Sequence, residues 1–426
     1  MRILHISPFY FPASGGAELH LKRLSEGLVS RGHEVTVLTA NARSVWSPIC
    51  GNLPQVEVLN GVKVRRLAPD GGMWGWALRS WQQMPGGYRS SRLLFGKDGV
   101  DLVCGHPSLV QLIPYLVGVR ADIVTSANWY WPPAYHTYLA RKLKQFTLVS
   151  IPLLHSAEAW CHRSIHKDML EQCDAVVVNT PHEANFVQEQ TRARVEVAGV
   201  GIDPGLFEHR NGAEIRARYG LGTFPIVGFV GRQAVSKGAA TVVRAMQAVW
   251  RWNNEVRLVL AGFRADRDKE VESLINGLAR FERERIVRID DFPERDKASL
   301  YDSFDVFALP SIAESFGIAY LEAWMCKKPV IGARIGSTQY VIDEGIDGLL
   351  VYPEDPEDTA RAIIELLSDD RKRERMGMSG HVKPTTQFTW DKVTDKVEKL
   401  YLDLLARKRA SRRGACGTVH PREAGV

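Results

Sequence analysis

The chain has 426 residues, 45% hydrophobic and 24% charged, with a net charge of +6; that length asks for two domains of about 200 residues rather than one core. No apolar run reaches the roughly 20 residues that cross a bilayer. The six cysteines form no CxxC pair, which argues against a zinc scaffold or a disulfide framework. The charge is uneven: residues 1–197 carry about 20 basic side chains to 15 acidic, residues 198–406 about 29 to 33, and the tail about 6 to 1. No basic stripe accompanies a reading motif, so nucleic acid is not expected. A basic first half is compatible with an anionic acceptor or with peripheral contact at the inner face of a membrane, and a solvated surface explains it equally well.

The opening MRILHISPFYF reads as a strand rather than a secretory leader, so the expected compartment is the cytoplasm. Strand-like runs follow at RILHIS (2–7), HEVTVLTA (33–40), VKVRRL (62–67), ADIVTSA (121–127), TLVSIPLLH (147–155) and DAVVVNT (174–180), judged from β-branched content and length. Leu21, Leu24 and Leu28 have helical spacing and predict a helix over residues 17–30. Residues 69–99, rich in Gly and Trp, show no regular pattern and are expected to be a mobile excursion.

After the connector VAGVGIDPGLF (197–207), a second series runs PIVGFVG (225–231), VRLVLAG (256–262), RIVRID (285–290), VFALPS (306–311), PVIGAR (329–334) and GLLVYP (348–353). Helical segments separate these runs. Such alternation predicts parallel sheets covered by helices. The fold class is therefore α/β, with two Rossmann-like domains facing across a cleft. The expected boundaries are 1–197 for the first domain and 198–385 for the second. A closing C-terminal helix is expected over 386–406, and a basic, disordered tail over 407–426.

Three stretches carry chemistry. In PFYFPASGGAEL, a strand ends at Ser7 and a long loop delivers Gly15 and Gly16 to a helix start. Free amides and the helix dipole there favour an anion, although an ordinary turn explains the same residues. In FVGRQAVSKGAA, Arg232 and Lys237 follow a strand directly, as a guanidinium fork and a point charge suited to a diphosphate. Two surface cations beside a turn would look the same. No Walker pattern is present.

In PSIAESFGIAYLEAW, Glu314 and Glu322 stand eight positions apart. On one continuous helix they would be separated by about 80° of arc, which is no shared face. With Glu314 in a loop and Glu322 on the following helix, they address different parts of one extended ligand. The amides of Ser315, Phe316, Gly317 and Ile318 would lie between them at a helix start. A hydrolase carboxylate pair and a plain surface glutamate at 322 are the competing readings.

The spacing E-x7-E in ESFGIAYLE, following the strand VFALPS, resembles the signature of retaining GT-B glycosyltransferases, and of glycosyltransferase family 4 in particular. GRQAVSKG is similar to that family's GR-x4-KG loop, SGGAE to its glycine loop and GVGID to its interdomain connector. PVIGARIGSTQYVIDEGIDGLLVYPEDPEDTARAI is similar to the segment after the glutamate motif. The resemblance spans about residues 1–405 and is more specific in the C-terminal half.

It implies a hexosyltransferase-type enzyme that moves a sugar from a nucleotide-diphosphate donor to a glycan, lipid-linked or small-molecule acceptor, without a metal cofactor. Arg232 and Lys237 would hold the diphosphate, Glu314 the donor sugar and Glu322 the ribose. The amides from Ser315 to Ile318 would line the donor, and Gly15 and Gly16 would let the first domain approach it. His155 would stand near the reacting sugar as a catalytic residue with Glu314, Arg232 and Lys237. This chain has Ser156 where the family often shows Asp after that histidine. Asn128 and Trp129 are the acceptor-side candidates. Asp266 and Asp268 form the one DxD-like pair considered for a metal, and they fall where a helix is expected to begin. The alternatives are an epimerase or phosphorylase of the same fold, or a non-catalytic donor-binding subunit.

Overall fold

The computed structural model describes residues 1–13, 15–42, 52–69, 77, 80–81, 84–85, 107–156, 159–264, 269–290 and 292–416. Most of the Gly- and Trp-rich excursion, and Asp266 and Asp268, lie outside the described residues.

The first half forms an eight-stranded sheet in the order β3-β4-β2-β1-β5-β6-β7-β8. Its members are β1 (Arg2–Ile6), β2 (Glu34–Ala40), β3 (Val56–Leu59), β4 (Val62–Leu67), β5 (Ile123–Ala127), β6 (Leu148–Ile151), β7 (Ala175–Val178) and β8 (Arg194–Val197). All pairings are parallel except β3 against β4. The second half forms a six-stranded, all-parallel sheet in the order β11-β10-β9-β12-β13-β14. Its strands are β9 (Ile226–Val230), β10 (Arg257–Ala261), β11 (Ile286–Ile289), β12 (Val306–Leu309), β13 (Val330–Ala333) and β14 (Gly348–Val351).

Every residue of β5, β6, β7, β9, β12, β13 and β14 is buried. A parallel strand with helices on both faces has no wet side, so its sequence is a short continuous apolar run. The two strands not expected from sequence are edges. β3 reads VEVL with alternating exposure, and β8 reads RVEV and is only half-buried. Strand order reverses direction between β1 and β5 in one sheet and between β9 and β12 in the other. Open α/β sheets bind ligands outside the carboxyl ends of their strands at such reversals.

The expected strand over residues 147–155 stops at Ile151. Pro152 has no N–H to continue the ladder, and Leu153 takes a left-handed φ of 54°. His155 therefore occupies a loop rather than a strand end.

Two chain crossings connect the halves, side by side. Ile202 N donates to Phe388 O at 2.8 Å, and a Cβ on Gly201 would overlap the Trp390 backbone. The last helix, Trp390–Cys416, then returns to the first sheet. Val393, Val397, Leu400, Tyr401 and Leu404 enter the core made by Ile3, Leu24, Leu28 and Val35. The Tyr401 hydroxyl meets Thr125 Oγ1 at 2.6 Å, and His33 bonds Glu398 at 2.6 Å. This helix continues through Cys416, so the first part of the supposed tail is helical, a correction to the boundary expected at 406. The cause is continuity: Arg and Ala are good helix formers, and no proline or glycine intervenes between Trp390 and Arg413. Cys173 and Cys326 form no disulfide among the described residues.

Leu400 is 1% exposed. Leu400→Ala is expected to cost about 2–5 kcal/mol through lost burial and a residual cavity, read as a lower urea midpoint for the transition that unfolds the first domain. An unchanged midpoint would mean that the returning helix does not support that core.

Candidate active site

Lys237 and Glu314 form the centre. Lys237 closes a 3-10 turn, Val235–Lys237, in the loop after β9, and Glu314 lies in the loop after β12. These neighbouring strands flank the reversal of the second sheet. Lys237 Nζ donates to Glu314 Oε1 at 2.6 Å, and Ser311 Oγ donates to the same oxygen at 3.0 Å. The Glu314 side chain is 9% exposed and that of Lys237 22%. The two loops are pinned together by Ile312 N donating to Ser236 O at 3.1 Å. Gly238 has a φ of 80°, and a Cβ there would overlap the Pro310 carbonyl. Only glycine gives both that backbone and that approach.

Arg232 is exposed and, among the described residues, forms no ion pair. From the first domain comes His155. Its imidazole pKa is lowered from 6.5, first by burial and then by Lys237 and Arg232, with Glu314 pulling the other way. Those influences put all four side chains within one electrostatic neighbourhood across the cleft. Tyr130, after β5, also senses Arg232 and the half-buried Glu18, although burial is the larger cause of its raised pKa. Desolvation raises the Glu18 carboxyl as well.

The segment after Glu314 has the expected loop-to-helix form. Phe316 is buried against Phe388 with ring centroids 5.2 Å apart, Gly317 has a φ of 93°, and a helix starts at Ile318 (Ile318–Met325). Its first amides have no partners within the helix. A Cβ on Gly16 would make ordinary contact with Ile318 Cδ1 at 3.5 Å, so the first domain's glycine loop reaches this helix start. Gly15 precedes it at the start of the helix Gly16–Ser30.

Glu322 is one helix turn and more away from Glu314's loop. It accepts from Tyr301 OH at 2.7 Å and pairs with Lys297 at 3.2 Å. Neither partner was apparent from sequence. Glu322, Lys297 and Ile318 line a cavity of about 30 Å3, closed from the other side by Leu19, Arg23 and Trp390. That is room for about one water molecule.

Asn128 and Trp129 follow β5, at the reversal of the first sheet. Asn128 has a φ of 57° and is 2% exposed, and its Oδ1 has no hydrogen-bond partner among the described residues. Trp129 is 1% exposed and stacks near His166 at 4.8 Å, so it offers no open face to a sugar. A Trp beside a cleft is as readily core as platform, and sequence alone did not distinguish them. Among the described residues, no group of three or more His, Cys, Asp or Glu is placed to hold a metal ion.

Sequence reasoning missed Glu183. It is 1% exposed and accepts from Leu154 N at 3.0 Å, Asn179 N at 2.6 Å and Ser315 Oγ at 2.5 Å. Burial pushes its pKa up to about 7 against the opposing effect of those bonds. The signal present was Thr180-Pro-His-Glu183, a capping-box pattern at a helix start. That pattern announces a helix cap but not a contact with another domain.

Comparison with known proteins places the chain among GT-B glycosyltransferases. The model described as Glycosyltransferase Family 4 matches residues 14–206, and that described as Glycosyl transferases group 1 matches residues 224–369. A D-inositol 3-phosphate glycosyltransferase of Corynebacterium diphtheriae is 27% identical over 434 residues, covering 94% of this chain and 93% of its own. An uncharacterised glycosyltransferase of Methanocaldococcus jannaschii is 26% identical, covering 92% and 96%. Among solved structures, sucrose-phosphate synthase from Thermosynechococcus elongatus has a TM-score of 0.75 at 22% identity, covering 95% of this chain and 99% of that one. An Anabaena protein solved with UDP and glucose has a TM-score of 0.71 at 19% identity, covering 95% and 100%. The chain is a nucleotide-sugar-dependent glycosyltransferase that resembles family 4.

A pH titration followed by NMR is expected to place the His155 midpoint below the ordinary 6.5. Lys237→Met removes a repelling cation and should raise it, while Glu314→Gln removes an attracting anion and should lower it further. A midpoint unmoved by both would show that the three side chains do not share a site.

Proposed function

We propose that the protein is a retaining hexosyltransferase whose donor lies along the loops after β9 and β12. The observation that supports this best is the 2.6 Å Lys237–Glu314 pair at the reversal of the second sheet, within electrostatic reach of His155. Arg232 and Lys237 hold the diphosphate, and the positive charge they supply persists as negative charge builds on the leaving group. Glu314 accepts hydroxyls of the donor sugar, and Glu322, oriented by Tyr301 and Lys297, accepts those of the ribose. Amides of Ser315, Phe316, Gly317 and Ile318 run along the donor, with Gly15 and Gly16 closing over it.

His155, neutral at pH 7 on the direction of its shift, accepts from or donates to the sugar without adding charge. In the transfer step an acceptor hydroxyl attacks the anomeric carbon on the face from which the diphosphate departs. The carbon–oxygen bond to the diphosphate breaks, the new glycosidic bond forms, and the hydroxyl proton passes to the departing phosphate oxygen. Retention follows from this same-face attack. Metal independence is part of the proposal, and full activity in the presence of EDTA tests it.

The acceptor approaches from the first sheet's reversal, beside Asn128 and Glu18. The inositol-phosphate relatives keep a small-molecule acceptor in view alongside a glycan or lipid-linked one. No described helix is long and apolar enough to cross a membrane; a cytoplasmic location and peripheral membrane contact through the basic first domain belong to the proposal only.

Glu314→Ala and Lys237→Ala are each expected to lower kcat by about 100-fold or more, the scale for losing a charge-stabilising group at a reacting centre. The measurement is release of nucleoside diphosphate dependent on acceptor, which separates transfer from epimerisation. Wild-type turnover in either variant would sink the assignment. An inverted anomer in the product's NMR spectrum would refute retention.

A further inference from the structure

Glu183 is a buried carboxylate that the reading above does not use. It stands in the first turn of the helix Pro181–Gln190, whose cap is Thr180. A capping-box glutamate ordinarily serves its own helix end and faces water. This one is 1% exposed and reaches in two further directions. One oxygen accepts from Leu154 N at 3.0 Å, the residue before His155. The same oxygen accepts from Ser315 Oγ at 2.5 Å, the residue after Glu314. Asn179 Nδ2 donates to that Ser315 hydroxyl at 2.8 Å, so its proton is directed towards Glu183.

We propose that Glu183 is a positioning residue for transfer, bridging the loop that carries His155 to the loop that carries Glu314 when the cleft is closed. This deepens the reading of those two residues as neighbours of the reacting sugar and rests on it. The chemistry favours the role. A carboxylate accepts several donors at once and donates none, and here every contact offered to it is an N–H or O–H. The Leu154 end is fixed within the first domain, where Pro152 and the left-handed Leu153 leave that amide outside the β6 ladder. The Ser315 end crosses to the second domain. Glu183 itself therefore meets the second domain through one serine hydroxyl. Neighbouring contacts repeat the pattern: Thr180 Oγ1 meets Ser337 Oγ at 3.4 Å, and His182 packs where a Cβ on Gly336 would stand.

The test is a double-mutant cycle on Glu183→Gln and Ser315→Ala, with kcat measured at saturating donor and acceptor. Binding is measured separately, using whichever of UDP, GDP or ADP most raises the wild-type melting temperature. Misplacing reacting groups without removing them is expected to lower kcat by about 10- to 100-fold in each single variant. Diphosphate affinity should stay within about twofold of wild type, because the cations that hold it are untouched. The double variant should be no worse than the weaker single, since both break one bridge. Ser315→Ala removes no buried charge, so it reports even where Glu183→Gln folds poorly.

Multiplicative losses, or a fully active Ser315→Ala, would overturn the bridge. A loss of diphosphate binding that parallels the loss of kcat would also overturn it, by showing general damage. If Glu314→Ala transfers at the wild-type rate, the donor-site reading falls instead, whatever the cycle shows.

Discussion

A single ion pair stands at the reversal of the second sheet. Lys237 and Glu314 come from loops 77 positions apart in the chain and meet because β9 and β12 are neighbours in the second sheet. Strand order makes them neighbours, and the reversal of direction opens the space above them. The pair is not there for stability. A largely desolvated ion pair gains little over well-packed apolar residues of the same volume. Its surroundings are nevertheless tuned to hold it: Ser311 on the carboxylate, Gly238 against Pro310, and Ser236 bonded to Ile312. Structure spent on keeping a cation and a carboxylate together at a strand terminus is what a site for an anionic, polyhydroxylated ligand requires.

The first domain supplies the opposite wall and depends on the second for its own completeness. Its core includes Val397, Leu400 and Tyr401 from the end of the chain, so the polypeptide must pass through the second domain and return before that core is closed. The outgoing and returning strands of chain touch at Gly201 and Trp390. His155 and Glu314 thus lie between the chain crossing on one side and small polar contacts on the other.

Legibility followed burial. Interior strands such as VFAL and VIGA were readable because both faces are dry and the sequence has no polar choice. The edge strands VEVL and RVEV were missed because one-sided burial lets charges in. The loop-to-helix form between Glu314 and Glu322 was readable because Gly317 marks the junction before the helix that starts at Ile318. Trp129 and Glu183 were not readable, for opposite reasons. An aromatic residue near a cleft and a glutamate near a helix cap each have a common exposed use. Only tertiary packing shows that both are buried here. The helix through Cys416 carries a related lesson. Basic composition suggested disorder, while continuity of helix propensity from Trp390 onward decided the outcome.

The character of the contacts across the cleft bears on how the enzyme turns over. Gly16 against Ile318, Asn179 and Glu183 against Ser315, Thr180 against Ser337, and His182 against Gly336 are small or polar meetings. Hydrogen bonds of this kind exchange for bonds to water at a net cost of about 1 kcal/mol each. A broad apolar interface would instead hold the halves shut and trap a nucleoside diphosphate after transfer. Under the proposed function, weak adhesion of this kind would let the spent diphosphate leave after transfer. Glu183 fits that pattern, because its grip on the second domain runs through one serine hydroxyl and is lost when that hydroxyl turns to water.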